Sequence, residues 1–239
     1  MSIALPDFAI EDFRLAETLR WWDAETRCTL VVSQPRVDPD LWWQYGRGAV
    51  RSYRRHGVEG ALDRDALRNG ADTVLFFVVL DERGKMIAGV RAKGPLRSAD
   101  DSHAVIEWEG QRGHSAVRKM ITDRLPHGVL EMKSAWVCDD TDMGRSLTDA
   151  VARSGFHMMA LLDIQFCMAT AADYVINCWC SSGGVVAPIP ATPYPDQRYQ
   201  TRMMWWDRRT FTRYAQPNQV AKIITETINL GRMRVPAFA

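Results

Sequence analysis

Length, composition and charge already limit what this protein can be. The chain has 239 residues, of which 46% are hydrophobic and 25% are charged, with 30 Lys and Arg residues against 29 Asp and Glu residues. Such hydrophobic content argues against disorder, and a formal net charge of +1 provides no basic field for a nucleic-acid backbone. No apolar run reaches the roughly 20 residues of a membrane-spanning helix, and acidic residues stand where a signal peptide would be apolar. We therefore expect a cytoplasmic protein without nucleic-acid or membrane partners.

The five cysteines predict neither disulfides nor a metal site. Their number is odd, and most of them stand among apolar residues, as reduced core thiols usually do. The spacing of Cys178 and Cys180 is not that of a zinc knuckle, and no histidine lies near them in the sequence. A nucleophile made from Cys138 and a histidine stays open as an alternative, although no spacing supports it.

Three elements are predicted in the N-terminal quarter of the chain. Apolar residues at helical spacing predict a helix over residues 12–25, and a β-branched run predicts a short strand over 29–32. A second helix is predicted over 40–56, with Asp40 as its N-cap and arginines along its polar side. We interpret residues 1–40 as an N-terminal extension that contains one helix and one short strand.

The clearest prediction in the middle of the chain is a β-hairpin over residues 73–92. Its first strand reads TVLFFVVL, which is typical of a buried central strand, and the DERG sequence that follows favours a turn. A helix over 115–125 and a strand over 128–137 come next. Alternation in that strand predicts two opposite faces, with Leu130, Met132, Ser134 and Trp136 on one and Val129, Glu131, Lys133, Ala135 and Val137 on the other.

The second half of the chain alternates helices and strands. Apolar residues at core spacing predict a long helix from Gly144 to about residue 161. The remaining elements are predicted as strands over 164–169, 185–189 and 200–206 and as helices over 171–181 and 217–230. This order indicates an α/β (α+β) domain over 41–210 in which helices cover a mixed sheet, followed by a C-terminal helix and tail over 211–239.

Four motifs in a fixed order carry a resemblance to a known family. A helix with Tyr45, Arg47, Arg51 and Tyr53 is followed by the hairpin LDERGKMIAGVR, the strand EMKSAWV and, after the long helix, WCSSGG. Over residues 41–206 this order resembles the acyltransferase superfamily of GCN5-related N-acetyltransferases (GNAT), most closely its autoinducer synthase and N-acyl amino acid synthase branch. The resemblance implies a GNAT-like fold, with a mixed, mostly antiparallel central sheet covered by helices.

The same resemblance implies an N-acyltransferase that moves an acyl group from a thioester to the amine of a small molecule such as an amino acid. The implied co-substrate is acyl-CoA or an acylated acyl carrier protein, and no metal is implied. Members that bind CoA typically have a glycine-rich loop before the long helix, whereas this chain has an acidic loop, CDDTD. Both donors therefore stay open, and the residues implied to contact the donor are Val137, Cys138, Gly144, Arg145 and Ser146.

Two glutamates are candidates for the base that deprotonates the amine. Glu131 is the first candidate, because an apolar strand would desolvate its carboxylate and raise its pKa. The alternative for Glu131 is a structural ion pair with Lys133 or Arg91. In a strand, Glu107 and Glu109 would share one face, so that the two could act as a carboxylate pair, directly or through water. Solvated surface charges are the simpler interpretation of that pair.

The proton donor for the leaving thiolate is less clear from the motifs. Many superfamily members have a tyrosine four residues before the glycine that ends the last short helix, and this chain has Trp179 there. An indole cannot donate a proton at neutral pH. Tyr174 is the nearest phenol, so the resemblance implies Tyr174 in this role.

Five residues are candidates for substrate binding. Arg91 can hold a carboxylate of the acceptor by a bidentate contact, unless it only caps the sheet edge. Arg51 and Tyr53 belong to the basic and aromatic helix, which could meet an acidic carrier protein or the acceptor, unless it is only a solvated face. Trp136 and Met168 lie on the strands nearest the expected acyl groove and otherwise belong to ordinary core.

Two further functions stay open. The first is a non-catalytic GNAT-like domain that binds an acyl ligand or a protein partner, which the acidic loop and Trp179 favour. The second is an interaction protein without a small-molecule site, for which large exposed aromatic patches would be the sign. The tryptophan pairs to inspect are Trp21-Trp22, Trp42-Trp43 and Trp205-Trp206.

Overall fold

The computed structural model describes residues 13–139 and 143–234, which form nine strands and seven α-helices. The strands are β1 (Leu19–Asp23), β2 (Cys28–Ser33), β3 (Thr73–Leu80), β4 (Met86–Lys93), β5 (Val129–Val137), β6 (Phe166–Ala172), β7 (Val185–Val186), β8 (Thr192–Pro193) and β9 (Gln200–Asp207). The α-helices are α1 (Pro39–Arg55), α2 (Arg64–Asn69), α3 (His103–Glu107), α4 (His114–Thr122), α5 (Gly144–Leu162), α6 (Ile176–Cys180) and α7 (Pro217–Arg234). Most of the acidic loop and the first residue of the predicted N-terminal helix lie outside the described residues.

The described strands form one sheet in the order β1-β2-β3-β4-β5-β6-β9-β7, with β8 paired to β9. Its neighbouring strands are antiparallel except β5 and β6. These two run parallel because α5 crosses back from the end of β5 to the start of β6. The predicted mixed, mostly antiparallel sheet is therefore confirmed, with the β3–β4 hairpin near its centre.

Helices cover both faces of this sheet. On one face α5 packs against β3, β4, β5 and β6, and α7 packs against α5. On the other face α1 covers β3 to β5, while α3 and α4 cover β5, β6 and β9. The strand β3 is apolar on both sides because both sides are covered. Among the described helices, none has the length and apolar character needed to cross a membrane.

At Ser134 the regular alternation of side chains between the two faces of β5 is interrupted. Ser134 has a left-handed φ of 54°, and the pairing register with β4 shifts beside it, which marks a β-bulge. Trp136 therefore packs against α1, where a Cβ added to Gly48 would lie 2.1 Å from the indole ring. Leu130 instead faces α5. The prediction that Trp136 and Leu130 share a face is wrong, because simple alternation does not anticipate a bulge.

The predicted N-terminal helix over residues 12–25 is also wrong. Leu19–Asp23 is a strand that pairs antiparallel with β2, and the first, third and fifth of its residues are the more buried ones. The N-cap of α1 is Asp38 rather than Asp40, since the Oδ1 of Asp38 accepts the backbone N–H of Leu41 at 3.0 Å. The boundaries of the extension and of the central domain stay predictions.

The helix predicted over residues 171–181 is shorter than expected. β6 continues to Ala172 in register with β9, and a turn of 3-10 helix (Asp173–Val175) precedes α6. Pairing with a neighbouring strand thus extends the strand beyond the point where the local pattern favours a helix.

A buried ionic network joins α5, α7 and β1. Arg153 donates from Nε and Nη2 to the two oxygens of Glu226, both at 2.9 Å, and from Nη2 to Oδ2 of Asp23 at 3.2 Å. His157 Nε2 lies 2.7 Å from Oε2 of Glu226, and Lys222 Nζ donates to Oδ1 of Asp23 at 2.8 Å. These five residues, the Arg153 network, fasten the C-terminal helix to the long helix and to the first strand.

Candidate active site

β5 and β6 are paired along only part of their length. Residues 129–132 pair with residues 166–169, whereas Lys133 and Thr170, which come next, are not paired with each other. Beyond them β5 continues along β4, and β6 continues along β9, so the two strands part. We call the end of their pairing the parting point. In the described structure, the strand edges that face each other beyond it have no strand partner.

Glu107 at the end of α3 places its carboxylate at the parting point. Lys133 Nζ donates to Oε1 of Glu107 at 2.8 Å, and the hydroxyl of Thr170 donates to the same oxygen at 3.0 Å. The side chain of Glu107 is only 1% exposed. His103 and Tyr194 complete the group: Nε2 of His103 lies 3.8 Å from Oε1 of Glu107 and 2.8 Å from the hydroxyl of Tyr194. We call these five residues the Glu107 cluster.

The second carboxylate oxygen of Glu107 has no partner. Oε2 is buried and makes no hydrogen bond with the described residues. Burial raises the pKa of Glu107, although the charge of Lys133 opposes that shift. Burial alone would lower the pKa of Lys133, but Glu107 and Glu131 raise it overall, so its ammonium group stays charged. A desolvated carboxylate with one free oxygen can accept a proton from a group brought to the parting point.

The aromatic and imidazole groups around the cluster are neutral near pH 7. Burial lowers the pKa of His103 to about 3, and the charge of Lys133 lowers it further, so the imidazole stays uncharged. Burial also raises the pKa of Tyr53, on the last turn of α1, to about 12. The charges of Lys133 and Glu107 also act on this pKa, in opposite directions. Substrate binding by Tyr53 stays a prediction.

Glu131 lies in the same strand as Lys133 but has a different environment. It is fully buried, its Oε2 accepts the backbone N–H of His103 at 2.9 Å, and its Oε1 accepts that of Ala104 at 3.2 Å. These bonds satisfy donors at the first turn of α3, as a helix N-cap does. The contacts favour a positioning role, in which Glu131 holds the helix that carries Glu107. A role of Glu131 as the base stays a prediction.

Neither Glu109 nor Tyr174 is among the described residues that bind the carboxylate of Glu107. Residues 103–107 form a helix and Glu109 follows in a turn, so the prediction that Glu107 and Glu109 share a strand face is wrong. Glu109 is exposed while Glu107 is buried. Tyr174 is 73% exposed on the 3-10 turn after β6, and its ring centroid lies 6.4 Å from that of Tyr199. Burial of part of its surface raises the pKa of Tyr174.

The predicted substrate-binding arginines differ in their surroundings. Arg91 is buried, and its Nη1 donates to Oδ1 of Asp72 at 2.5 Å and to the hydroxyl of Thr73 at 3.1 Å, whereas its Nε has no partner among the described residues. Arg91 also borders a void of about 10 Å³ that Lys133 and His103 line as well. Arg51 is exposed on α1 and takes no part in the Glu107 cluster.

Trp136 and Met168 are both core side chains in this structure. Trp136 packs beneath α1, while Met168 is fully buried beneath α3 and lies opposite Glu131 in the paired part of the two strands. Their contribution to an acyl groove stays a prediction. Of the tryptophan pairs, Trp22 and Trp43 are singly exposed and their partners are more buried, so neither pair forms a large aromatic patch.

The predicted donor-binding residues lie at the end of β5 and the start of α5. The backbone N–H of Cys138 donates to the carbonyl of Ile87 at 2.7 Å, which leaves Val137 at the strand end. α5 begins at Gly144 without a side-chain N-cap, and Arg145 on its first turn is exposed. Free N–H groups at a helix N-terminus attract anions such as phosphates. The following residue, Ser146, is half-buried.

One carboxylate of the acidic loop is described, and α1 holds it. Asp139 lies 3.3 Å from Nε of Arg55 and 3.5 Å from Nε2 of His56. Asp140 and Asp142 lie outside the described residues. Within the residues that are described, no group of three His, Cys, Asp or Glu side chains could hold a metal ion.

Sequence reasoning missed how Lys133, Thr170 and His103 combine around Glu107. Each comes from a different element, and only the parting of two strands brings them together. One local signal was present: Ser102 before an apolar run favours a helix start, and its hydroxyl does accept the backbone N–H of Ala104 at 3.2 Å. A helix from residue 103 would have separated Glu107 from Glu109.

Comparison with other sequences identifies close relatives. No protein-family model matches the chain. An uncharacterized protein of Mycobacterium tuberculosis (strain ATCC 25618 / H37Rv) is 50% identical over 229 residues, which cover 95% of this chain and 87% of that protein. An uncharacterized protein of Mycobacterium bovis (strain ATCC BAA-935 / AF2122/97) has the same identity and coverage.

Comparison with solved structures identifies the fold. FeeM, an N-acyl amino acid synthase from uncultured soil microbes, superposes with a TM-score of 0.59 at 11% identity, over 83% of this chain and all of FeeM. The CoA-dependent acyl-homoserine lactone synthase BjaI superposes with a TM-score of 0.51 at 13% identity, over 82% of this chain and 87% of BjaI. The AHL synthase LasI superposes with a TM-score of 0.52 at 10% identity, over 80% of this chain and 90% of LasI. The chain thus shares its fold with these synthases, and the predicted resemblance is confirmed at the level of the fold.

Proposed function

This chain belongs to one family with the two mycobacterial proteins, and we propose that it is an N-acyltransferase of the GNAT fold. It transfers an acyl group from a thioester donor to the amine of a small molecule such as an amino acid. Solved structures of the same fold include synthases of N-acyl amino acids and of acyl-homoserine lactones. TM-scores of 0.59 and 0.51 show the shared fold at identities of 11% and 13%, and the chemistry is inferred from the site.

The observation that carries this proposal is the free oxygen of Glu107 at the parting point. A thioester arm carries amide groups that can pair with unpaired strand edges, as an added strand does. The edges of β5 and β6 beyond the parting point offer such pairing. An arm bound there would bring its thioester towards Lys133 and Thr170, which flank the carboxylate.

The proposed reaction proceeds by direct attack. Glu107 accepts one proton from the ammonium group of the acceptor, and the neutral amine attacks the thioester carbonyl carbon. A C–N bond forms and the C–S bond breaks. A phenol gives one proton to the leaving sulfur, and the nitrogen loses a second proton as the amide forms, which restores the phenol. The products are an amide and a free thiol, and Glu107 releases the first proton to solvent. The phenols of Tyr53 and Tyr174 stay protonated near pH 7 and are the candidate donors to that sulfur.

In this proposal, Lys133 and Thr170 assist the reaction without exchanging protons. Both bind Oε1 of Glu107, so they fix the orientation of the carboxylate and leave Oε2 for the acceptor. Glu131 acts indirectly, because it holds the first turn of α3, the helix that carries Glu107. Buried, preorganised polar groups of this kind supply their stabilisation without reorganising during the reaction.

The donor in this proposal is acyl-CoA or an acylated acyl carrier protein. Gly144, Arg145 and Ser146 at the start of α5 would meet a phosphate of either donor, because both attach the acyl group through a phosphopantetheine arm. Val137 and Cys138, at the end of β5, would lie along that arm. Asp139 does not oppose binding there as a free charge, since Arg55 and His56 lie beside it.

The experiment that tests the proposal measures thiol release by the purified protein. Acyl-CoA species from acetyl to palmitoyl and an acylated carrier protein are each incubated with a mixture of amino acids, and mass spectrometry then identifies any amide. Release that depends on both donor and amine supports the proposal. A rise in melting temperature with a donor but no release with any amine would support the non-catalytic alternative. Neither release nor a shift in melting temperature would contradict both.

A further inference from the structure

A long groove on the α1 side of the protein is separate from the parting point. It runs between α1 and α2 and continues past the starts of β3 and β5, with a volume of about 2110 Å³. Sites for small molecules usually measure about 300–1,000 Å³. The groove therefore suits a larger, extended ligand, and nothing in the proposed reaction uses it.

The lining of this groove is strongly basic although the chain as a whole is close to neutral. Eight of the described lining residues are Arg or Lys, and three are Asp. Those three carboxylates are already engaged. Asp72 pairs with Arg91, Asp100 forms two hydrogen bonds with Arg118, and Asp101 accepts the backbone N–H groups at the start of its own turn. Several of the lining cations are paired as well, since Glu59 pairs with Arg54 and Arg64, Asp65 with Arg68, and Asp72 also with Lys93. The positive charge without an ion pair in the described structure includes Arg47 and Arg51 of α1.

Three residues of α1 form a straight stripe along the groove. Trp43, Arg47 and Arg51 are spaced four residues apart, so they lie on one side of the helix over about 12 Å. All three are exposed, and the guanidinium of Arg47 lies 4.6 Å from the ring centroid of Trp43. Within the described part of the chain, neither Arg47 nor Arg51 has an ion pair. Their donors are therefore available to a ligand.

We propose that this groove binds an acidic polypeptide segment of a partner protein. Seven of the eight cationic residues are arginines, whose planar guanidinium groups match carboxylates through paired hydrogen bonds. The cations are spread along the groove rather than converging on one point, which fits a row of carboxylates better than a single phosphate. The net charge of +1 for the whole chain also favours a local acidic segment over a nucleic acid, which would need a wider basic field.

The groove and the Glu107 cluster are neighbours. Lys93 lines the groove and also lines the void of about 10 Å³ that is shared with Lys133 and His103. A protein docked in the groove is therefore held beside the proposed reaction site. The docking itself does not depend on acyl transfer, so binding can be tested without any acyl donor.

The test measures binding of fluorescein-labelled decaglutamate to the full-length protein by fluorescence anisotropy at low salt. The charge-reversed double variant Arg47→Glu/Arg51→Glu should bind the peptide about tenfold more weakly or worse, because attraction becomes repulsion at the centre of the stripe. Arg83→Glu is the matched control, since Arg83 is equally exposed but lies in the β3–β4 turn outside the groove. We expect its affinity to equal that of the wild type. Equal melting temperatures of all three proteins establish that they are folded.

Three results would overturn the proposal. One is the absence of saturable decaglutamate binding to the wild-type protein. Another is an equal loss of affinity in the double variant and in Arg83→Glu, which would mean a diffuse charge effect. The third is tighter binding of an oligothymidylate with the same number of charges, which would assign the groove to a nucleic acid. If decaglutamate binds as expected but no thiol release is ever found, the docking surface stands and the acyltransferase proposal fails.

Discussion

Two buried groups of ionic side chains have a similar composition but differ in whether every buried polar atom has a hydrogen-bond partner. In the Arg153 network no buried side-chain nitrogen or oxygen of the five residues lacks a partner in the described structure. In the Glu107 cluster, by contrast, Oε2 of Glu107 is buried and unpartnered. A buried polar group without a partner costs free energy, so a folded protein retains few of them. The complete network is explained by stability alone, whereas the incomplete cluster leaves one carboxylate oxygen open to a ligand.

The first prediction concerns Arg153, which is the centre of the complete network. Arg153→Met leaves Glu226 buried without the partner that binds both of its oxygens and removes one partner of Asp23. Breaking such a buried pair typically costs about 3–5 kcal/mol. We expect a loss of unfolding free energy of that size in urea denaturation. The activity per folded molecule should stay unchanged, because the network does not touch the parting point. If this variant kept its unfolding free energy but lost thiol release, the result would contradict a purely structural role of the Arg153 network.

Acid titration should separate the two groups by the sign of their pKa shifts. Burial opposes ionisation of Glu226, but hydrogen bonds from His157 and Arg153 outweigh it and lower its pKa to about 2. Its contribution to stability is present above the unfolded pKa of about 4.5 and is lost as the pH falls towards 2, up to about 3 kcal/mol in total. The raised pKa of Glu107 has the opposite effect, because protonation favours the folded state there.

The measurement is the unfolding free energy between pH 6 and pH 3. The wild type and Glu107→Gln should both lose stability as the pH falls below about 4.5, since the Arg153 network is intact in both. Glu226→Gln should begin less stable and show a flatter dependence on pH. An equally steep acid loss in Glu226→Gln would assign the effect to other carboxylates.

The smallest expected effect concerns Tyr174. Because its side chain is 73% exposed, water can replace its phenol as a proton donor. Tyr174→Phe should therefore lower the rate of thiol release only about threefold, far less than the factor of 10²–10⁴ that a fixed acid or base contributes. Tyr53→Phe is the informative comparison, since Tyr53 is the more buried of the two phenols and burial raises its pKa to about 12. A loss above a hundredfold in Tyr174→Phe alone would place the acid there.

The parts of the fold that depend on local pattern were predictable from the sequence. TVLFFVVL and its partner strand, the helix α1 and the long helix α5 all follow from hydrophobic periodicity, and the structure has each of them. The parts that depend on pairing were not. The strand β1 exists because β2 pairs with it, and the bulge at Ser134 exists because β5 shifts its register against β4. Neither leaves a periodic signal in the sequence.

The candidate site also has parts that a local sequence pattern indicates and parts that depend on contacts between distant segments. Glu131 attracted attention because a carboxylate in an apolar strand is conspicuous, yet its oxygens are both used by the first turn of α3. Glu107 looked like a surface charge, because a five-residue helix is too short to produce helical periodicity. Its partners Lys133 and Thr170 lie 26 and 63 residues away in sequence. Only the parting of two parallel strands makes them neighbours.

The most direct test of this account compares Glu107→Gln with Glu109→Gln in the thiol-release assay. The two glutamates are two residues apart, but Glu107 is buried at the parting point and Glu109 is exposed in a turn. We predict that Glu107→Gln lowers the rate by about 10²–10⁴-fold, as loss of a general base does, while its melting temperature stays close to that of the wild type. Glu109→Gln should match the wild type. Activity of Glu107→Gln within a few-fold of the wild type, or equal losses in both variants, would contradict the assignment of Glu107 as the proton acceptor.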